Sequence, residues 1–223
     1  MMNLAEYRRT AARLADYLPW AALLGSGVVL NKDGSFQRTA RFRGPDLDSA
    51  TQGELIATSA RLNNALRRLG SGWALFIEAE RSAAADYPHS EFPEALSWLV
   101  DEERRSAFED TGHHFESGYH LTLVYLPPQE SRARAAKMLY ENTPTNGVAW
   151  RERLQAFVAE TDRVFDLLDG VMPEIAWLDD SQTLTYLHAT VSTRRYRVSV
   201  PEVPFHIDAL LADSALVGGL APM

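Results

Sequence analysis

Cysteine is absent from all 223 residues, so the chain can form neither a disulfide framework nor a thiolate metal site, and a reducing compartment suits it. Lysine is almost absent too: only Lys32 and Lys137 occur, preceded by Asn31 and Ala136. A Gly-x-x-x-x-Gly-Lys-Ser/Thr loop needs backbone amides to cradle phosphates and a lysine to reach the terminal ones, and no such P-loop can be assembled here. Long apolar runs are missing as well. Leu18 to Leu24, with Pro19 inside it, falls far short of the roughly 20 residues that span a bilayer, and the chain start lacks a signal-peptide layout. No Gly-x-Ser-x-Gly elbow for a nucleophilic serine is present, and Gly25-Ser26-Gly27 and Gly70-Ser71-Gly72 read as turns. Internal repeats, low-complexity segments and Gly/Ser-rich linkers are lacking, which makes one domain the simplest count.

What is there is ordinary in amount and uneven in distribution. With 46% hydrophobic and 23% charged residues, the chain has the composition of a soluble globular domain with a substantial core. Residues 1–43 hold seven Arg or Lys against three Asp or Glu, whereas residues 44–223 hold fifteen against twenty-seven. A basic leader, taken as residues 1–26, therefore precedes an acidic body, residues 27–223. In the leader Leu4, Tyr7, Ala11, Leu14 and Leu18 recur at three- and four-residue steps, on one side of a helix, with Arg8, Arg9 and Arg13 elsewhere around it. Such a helix, ending in Tyr17, Leu18, Pro19 and Trp20, suits a membrane surface or a partner helix; the same stripe also suits docking on its own domain.

The body reads as α+β. Val28 to Leu30 and Phe36 to Phe42 flank a hairpin turn at Lys32-Asp33-Gly34-Ser35. Ser49 with Gln52 resembles a capping box, Leu55, Leu62, Leu66 and Leu69 share a helical face, and Gly70 sits where a helix would stop. Trp73 to Ala79 is predicted as a strand with Trp73, Leu75 and Ile77 on one side, and Ala95 to about Asp110 as a helix with Asp101, Glu102, Glu103, Arg104 and Arg105 on its wet side. Tyr119 to Leu126 reads as a strand buried on both faces, and Val148 to Leu168 as a long helix. Ile175 to Leu178 is predicted as a strand and Gln182 to Val191 as a helix. An apolar pattern resumes from Phe205 to Leu211. Helices packed on a mixed, largely antiparallel sheet follow, and the order of elements is compatible with a ferredoxin-like arrangement, with strand order left open.

Three groups of residues invite a chemical reading. Ile175 to Asp180 mimics a Walker B strand, in which a carboxylate after an apolar run handles magnesium; without a P-loop the reading is a strand followed by a helix cap at Asp180 or Ser181. His113, His114, Glu116 and His120 could supply metal ligands, which defines the alternative of a small metal-dependent enzyme, although no His-Glu-x-x-His pattern is present. Arg194, Arg195 and Arg197 around Tyr196, and Arg132, Arg134 and Lys137, are candidate nucleic-acid patches. Against a net charge of −8 neither makes the broad basic stripe that phosphate neutralisation requires, so solvated faces or protomer contacts are the plainer reading.

The runs Asn3-Leu4-Ala5-Glu6-Tyr7-Arg8-Arg9, Leu14 to Trp20, Asn31 to Phe36, Arg61 to Leu66 and Asp101 to Arg105 resemble the N-terminal region of TrbE-type conjugal transfer ATPases, of the CagE/TrbE/VirB family of type IV secretion systems. The likeness continues through Leu184 to His188 and into Leu210 to Asp213, covering essentially the whole chain. It implies a motor at the cytoplasmic face of the bacterial inner membrane, hexameric when assembled, whose N-terminal half mediates assembly and docking and whose C-terminal half hydrolyses ATP with Mg2+. Only the N-terminal half is represented, so the chain is expected to carry no catalytic, metal or cofactor residue of its own and to be the front of a larger protein or a free-standing domain. Tyr7, Arg8, Arg9, Arg13, Tyr17, Leu18 and Trp20 are the candidate residues for docking on inner-membrane subunits and on anionic headgroups.

Overall fold

Asp33 makes the turn that the sequence marks: its Oδ1 accepts from the Ser35 amide at 2.9 Å and from the Ser35 hydroxyl at 2.7 Å. Gly34 sits at φ 83°, a conformation that favours glycine. The turn joins β2 (Val28–Asn31) to β3 (Phe36–Arg43), and β1 (Trp20–Gly25) pairs with the other edge of β2, all antiparallel. The computed structural model describes residues 13–83, 87–111, 114–127 and 146–215. After β3 come α2 (Gln52–Leu66), β4 (Trp73–Ala83), α3 (Ala95–Thr111), β5 (Phe115–Tyr125), α4 (Asn146–Asp169), β6 (Glu174–Trp177), α5 (Asp180–Val191) and α6 (Ile207–Ala215); a four-residue α1 (Leu14–Tyr17) precedes β1.

The sheet runs β1-β2-β3-β5-β4, with β6 also on β3. One edge of β3 is covered throughout by β5; the other is shared, by β2 along Phe36 to Arg38 and by β6 along Ala40 to Arg43. Within it, β3-α2-β4 and β5-α4-β6 form two β-α-β halves whose strands lie in the order β6-β3-β5-β4, the ferredoxin-like split arrangement. The β1-β2 hairpin is an addition to that core. Among the described residues the fold is α+β, with six helices on a six-stranded antiparallel sheet.

Alternation of side chains gives the sheet two interiors. On one face Leu121 and Leu123 of β5 pack with Ala65 of α2 and with Val164 and Leu168 of α4; Phe36 and Phe157 extend this layer toward the hairpin. On the other, Trp20, Leu23 and Val29 meet Leu184 and Leu187 of α5 and Ile207 and Leu211 of α6. Each buried leucine of this kind stabilises by about 2 kcal/mol relative to exposure. Arg38 fastens α4 to the sheet: its Nη1 reaches Asp162 Oδ1 at 2.6 Å and Thr161 Oγ1 at 3.1 Å, while its guanidinium lies 4.1 Å from the centre of the Trp177 ring.

Several local expectations shift. The first box is Thr51 with Glu54 rather than Ser49 with Gln52, because the chain turns into the helix only after Ala50. The cap of α5 is Asp179 with Gln182, one residue before the expected Asp180 or Ser181. β5 starts at Phe115, and its first residues project beyond β3, so Phe115 is exposed and burial on both sides is confined to Leu121, Thr122 and Leu123. Ile77 is 64% exposed rather than buried beside Trp73 and Leu75. On α3 the polarity differs from the expected wet side: Asp101 is largely covered, accepting from the Tyr87 hydroxyl at 2.8 Å, whereas Leu96, Trp98, Leu99 and Val100 are exposed.

Candidate functional site

The register of the sheet sets Arg41 opposite His120 and His120 opposite Glu78, a polar row on the face away from α2 and α4. Helix α5 crosses beside it. The Tyr186 ring lies 4.6 Å from that of His120, and the Tyr186 hydroxyl donates to Glu78 Oε2 at 2.8 Å. The segment after α5 then folds back along the helix. Thr185 Oγ1 accepts from the Val198 amide at 2.9 Å, Arg197 Nε donates to Ser181 Oγ at 3.1 Å, and Arg195 reaches Glu80 at 2.9 Å. These pieces enclose a cleft of about 480 Å³ whose walls include Arg41, Arg194, Arg195, Arg197, His120 and His188.

Its electrostatics are opposite to those of the whole chain. Four guanidiniums, which stay charged at any working pH, face Glu80, with Glu78 tied up by Tyr186. Burial holds the His120 imidazole below its ordinary 6.5, against the upward pull of Glu78 and Glu80. Burial also pushes the Tyr186 phenol up to about 12, with the hydrogen bond to Glu78 adding to it. His188 is fully buried, its ring 4.5 Å from that of Tyr196, and neither ring nitrogen has a hydrogen-bond partner. Fixed positive charge beside neutral rings is an arrangement for holding an anion.

The candidate leader residues divide. Tyr7, Arg8 and Arg9 lie outside the described residues, as do His113, Arg132, Arg134 and Lys137. Arg13 and Tyr17 are exposed, Tyr17 at 71%. Leu18 and Trp20, at 6% each, are instead side chains of the domain's own core, packed with Leu184, Leu187 and Ile207. Trp20 opens β1, so residues 20–25 belong to the sheet rather than to the leader. The histidines also separate: His114 stacks on Phe108 at 3.8 Å with its Nε2 2.8 Å from the Phe108 carbonyl, while His120 is in the cleft. Six strand positions apart is about 20 Å, too far to share one metal ion. Among the described residues no group of three ligands is assembled.

Of the two arginine patches, Arg194 to Arg197 borders the cleft. Arg41, Tyr186 and His188 join it there with only a slight signal in the sequence: Thr39 and Arg41 are polar positions on one side of a strand, and His188 follows Leu184 by four residues on α5.

Residues 27–133 match the family described as "Type IV secretion system ATPase VirB4/TrbE, N-terminal domain". Over 143 residues the chain is 41% identical to a probable conjugal transfer protein TrbE of Sinorhizobium fredii that is named as the first piece of a divided TrbE, an alignment that takes in 63% of this chain and 95% of that protein. The chain belongs to the VirB4/TrbE family. It is 31% identical, along its whole length, to "Conjugal transfer protein TrbE" of Rhizobium radiobacter, and spans 29% of that protein. With "Type IV secretion system protein virB4" of Brucella suis it shares 26% identity over 125 residues, 55% of this chain and 15% of the relative. In this VirB4/TrbE chain the Walker B mimic has a structural use: Asp179 caps α5, and Asp180 Oδ1 accepts from the Gly27 amide at 2.7 Å, holding the β1-β2 turn against β6 and α5. Among the described residues no helix is long and apolar enough to cross a membrane.

Proposed function

We propose that this chain is the N-terminal assembly domain of a conjugal transfer motor, which docks on inner-membrane subunits of a type IV secretion system and on neighbouring protomers and leaves ATP hydrolysis to a separate C-terminal half. The match to nearly the whole of the Sinorhizobium fredii TrbE piece carries this reading. It is supported by the absence from the sequence of a P-loop lysine and by the exposed Leu96, Trp98, Leu99 and Val100 on α3, an apolar surface of the kind that protein contacts cover. Peripheral attachment at the cytoplasmic face of the inner membrane would come from the basic residues at the start, Arg8, Arg9 and Arg13, attracted to anionic headgroups.

The test separates docking from folding. Deleting residues 1–12 removes Arg8 and Arg9 and leaves Leu18 and Trp20 in place; recovery with inner-membrane components should fall while the circular dichroism spectrum and melting temperature hold. Unchanged recovery of this folded truncation would sink the docking role of the leader. Deleting residues 1–20 should instead unfold the domain, since it takes Leu18 and Trp20 out of the core.

A further inference from the structure

Inside an acidic chain, the cleft between α5 and the sheet concentrates positive charge and unsatisfied polarity. The guanidiniums of Arg41 and Arg194 have no ion-pair partner among the described residues, whereas Arg195 is paired with Glu80 and Arg197 is held by Ser181. Both ring nitrogens of the fully buried His188, and Nδ1 of His120, lack partners. An orphaned polar group in an interior costs about 1–3 kcal/mol, and several lining one cleft point to atoms that a ligand supplies. The volume, about 480 Å³, lies in the range of small-molecule sites and is several times what an inorganic anion fills. Tyr186 and Tyr196 both line the cleft, and Tyr196 is 43% exposed, so a ring face is open to contact.

We propose that this cleft binds a small organic phosphate bearing a planar ring, a ligand of nucleotide size, with Arg41 and Arg194 on the phosphate, His188 hydrogen-bonded to the ligand and Tyr196 against the ring. The role is binding only: no bond of the ligand is made or broken, and the site is independent of any P-loop. An enclosed cleft of this size and two unpaired guanidiniums fit a single small anion better than a nucleic-acid strand, which needs a groove open at both ends and a longer track of charge.

Calorimetric titration of the full chain with ADP, with pyrophosphate and with a short single-stranded oligonucleotide tests this. ADP should bind at least about tenfold more tightly than pyrophosphate, the ring contact making the difference. Arg194→Ala and Arg41→Ala should each weaken ADP about tenfold or more, as loss of a charge-assisted hydrogen bond does. Tyr196→Leu, at a partly exposed position that folding tolerates, should bring ADP to the affinity of pyrophosphate while leaving pyrophosphate unchanged. Arg67→Ala, just past α2 on the other side of the sheet, serves as the control and should change nothing. No heat with ADP up to millimolar concentration overturns the proposal, as does equal affinity for pyrophosphate. Tighter binding of the oligonucleotide than of ADP overturns it in favour of a strand-binding surface.

Discussion

Gly27 shows how much a single residue can be asked to do. At φ 72° it occupies the left-handed region, its amide is spent on Asp180, and a Cβ there would run into the carbonyl of Leu178. Gly27→Ala should therefore cost about 2–4 kcal/mol, from backbone strain and displacement of the β6-α5 junction together, read as a shift of the urea midpoint at constant slope. His120 makes stability depend on pH. Its imidazole is held below the ordinary 6.5 in the folded state, so as pH falls through that value the unfolded chain takes up a proton before the folded one does. Stability should fall as pH drops below about 6.5, until the folded imidazole also protonates, and His120→Gln should flatten that part of the profile. The groups facing His120 are Arg41 on β3, Glu78 and Glu80 on β4 and Tyr186 on α5, and the phenol, pushed up to about 12, stays neutral across this window.

Among elements, β1 is the one whose nature is least visible in the chain. Leu14 and Leu18 fit a helical stripe, and Trp20 at its end has the look of an interfacial anchor. Yet Pro19 cannot continue a helix, and the chain goes extended from Leu18 to pair with β2. Trp20→Ala should cost about 3–5 kcal/mol, as burial predicts and exposure would not, measured by denaturant unfolding. Where periodicity is strong and capping local, the sequence is a good guide: Phe157, Val164 and Leu168 of α4 face the core as their spacing requires, and Asp33-Gly34 forms its turn. The cleft is poorly legible for a physical reason. Arg41, His120, Tyr186 and Arg194 are brought together by strand register and by the return of the segment after α5, and neither leaves a periodic trace in the chain.

At the scale of the whole molecule, α3 stands apart from the well-filled layers. Trp98 and Leu99 are 52% and 57% exposed, so the double change Trp98→Ser and Leu99→Ser should alter stability by no more than about 1 kcal/mol. On the assembly reading the same variant should lower self-association in sedimentation velocity; unaltered association would place protomer contacts elsewhere. The ferredoxin-like order of strands is compatible with the sequence of elements, and the register of β6 on β3 establishes it. Family resemblance is legible from short runs such as Asn31 to Phe36, which the structure shows to be a tight turn with little freedom to vary.

The shared edge of β3 also sets a timetable. Ala40 and Phe42 pair with Trp177 and Ile175, residues made much later, and hairpin β1-β2 covers only the first stretch of that edge. While the chain is being synthesised, the second stretch of β3 keeps its backbone donors and acceptors open until β6 has emerged from the ribosome. Folding of this domain is thus governed by a long-range pairing, slow by comparison with local hairpins and exposed to wrong partners meanwhile. A nascent chain stopped short of Glu174 should remain aggregation-prone even with the first five strands complete.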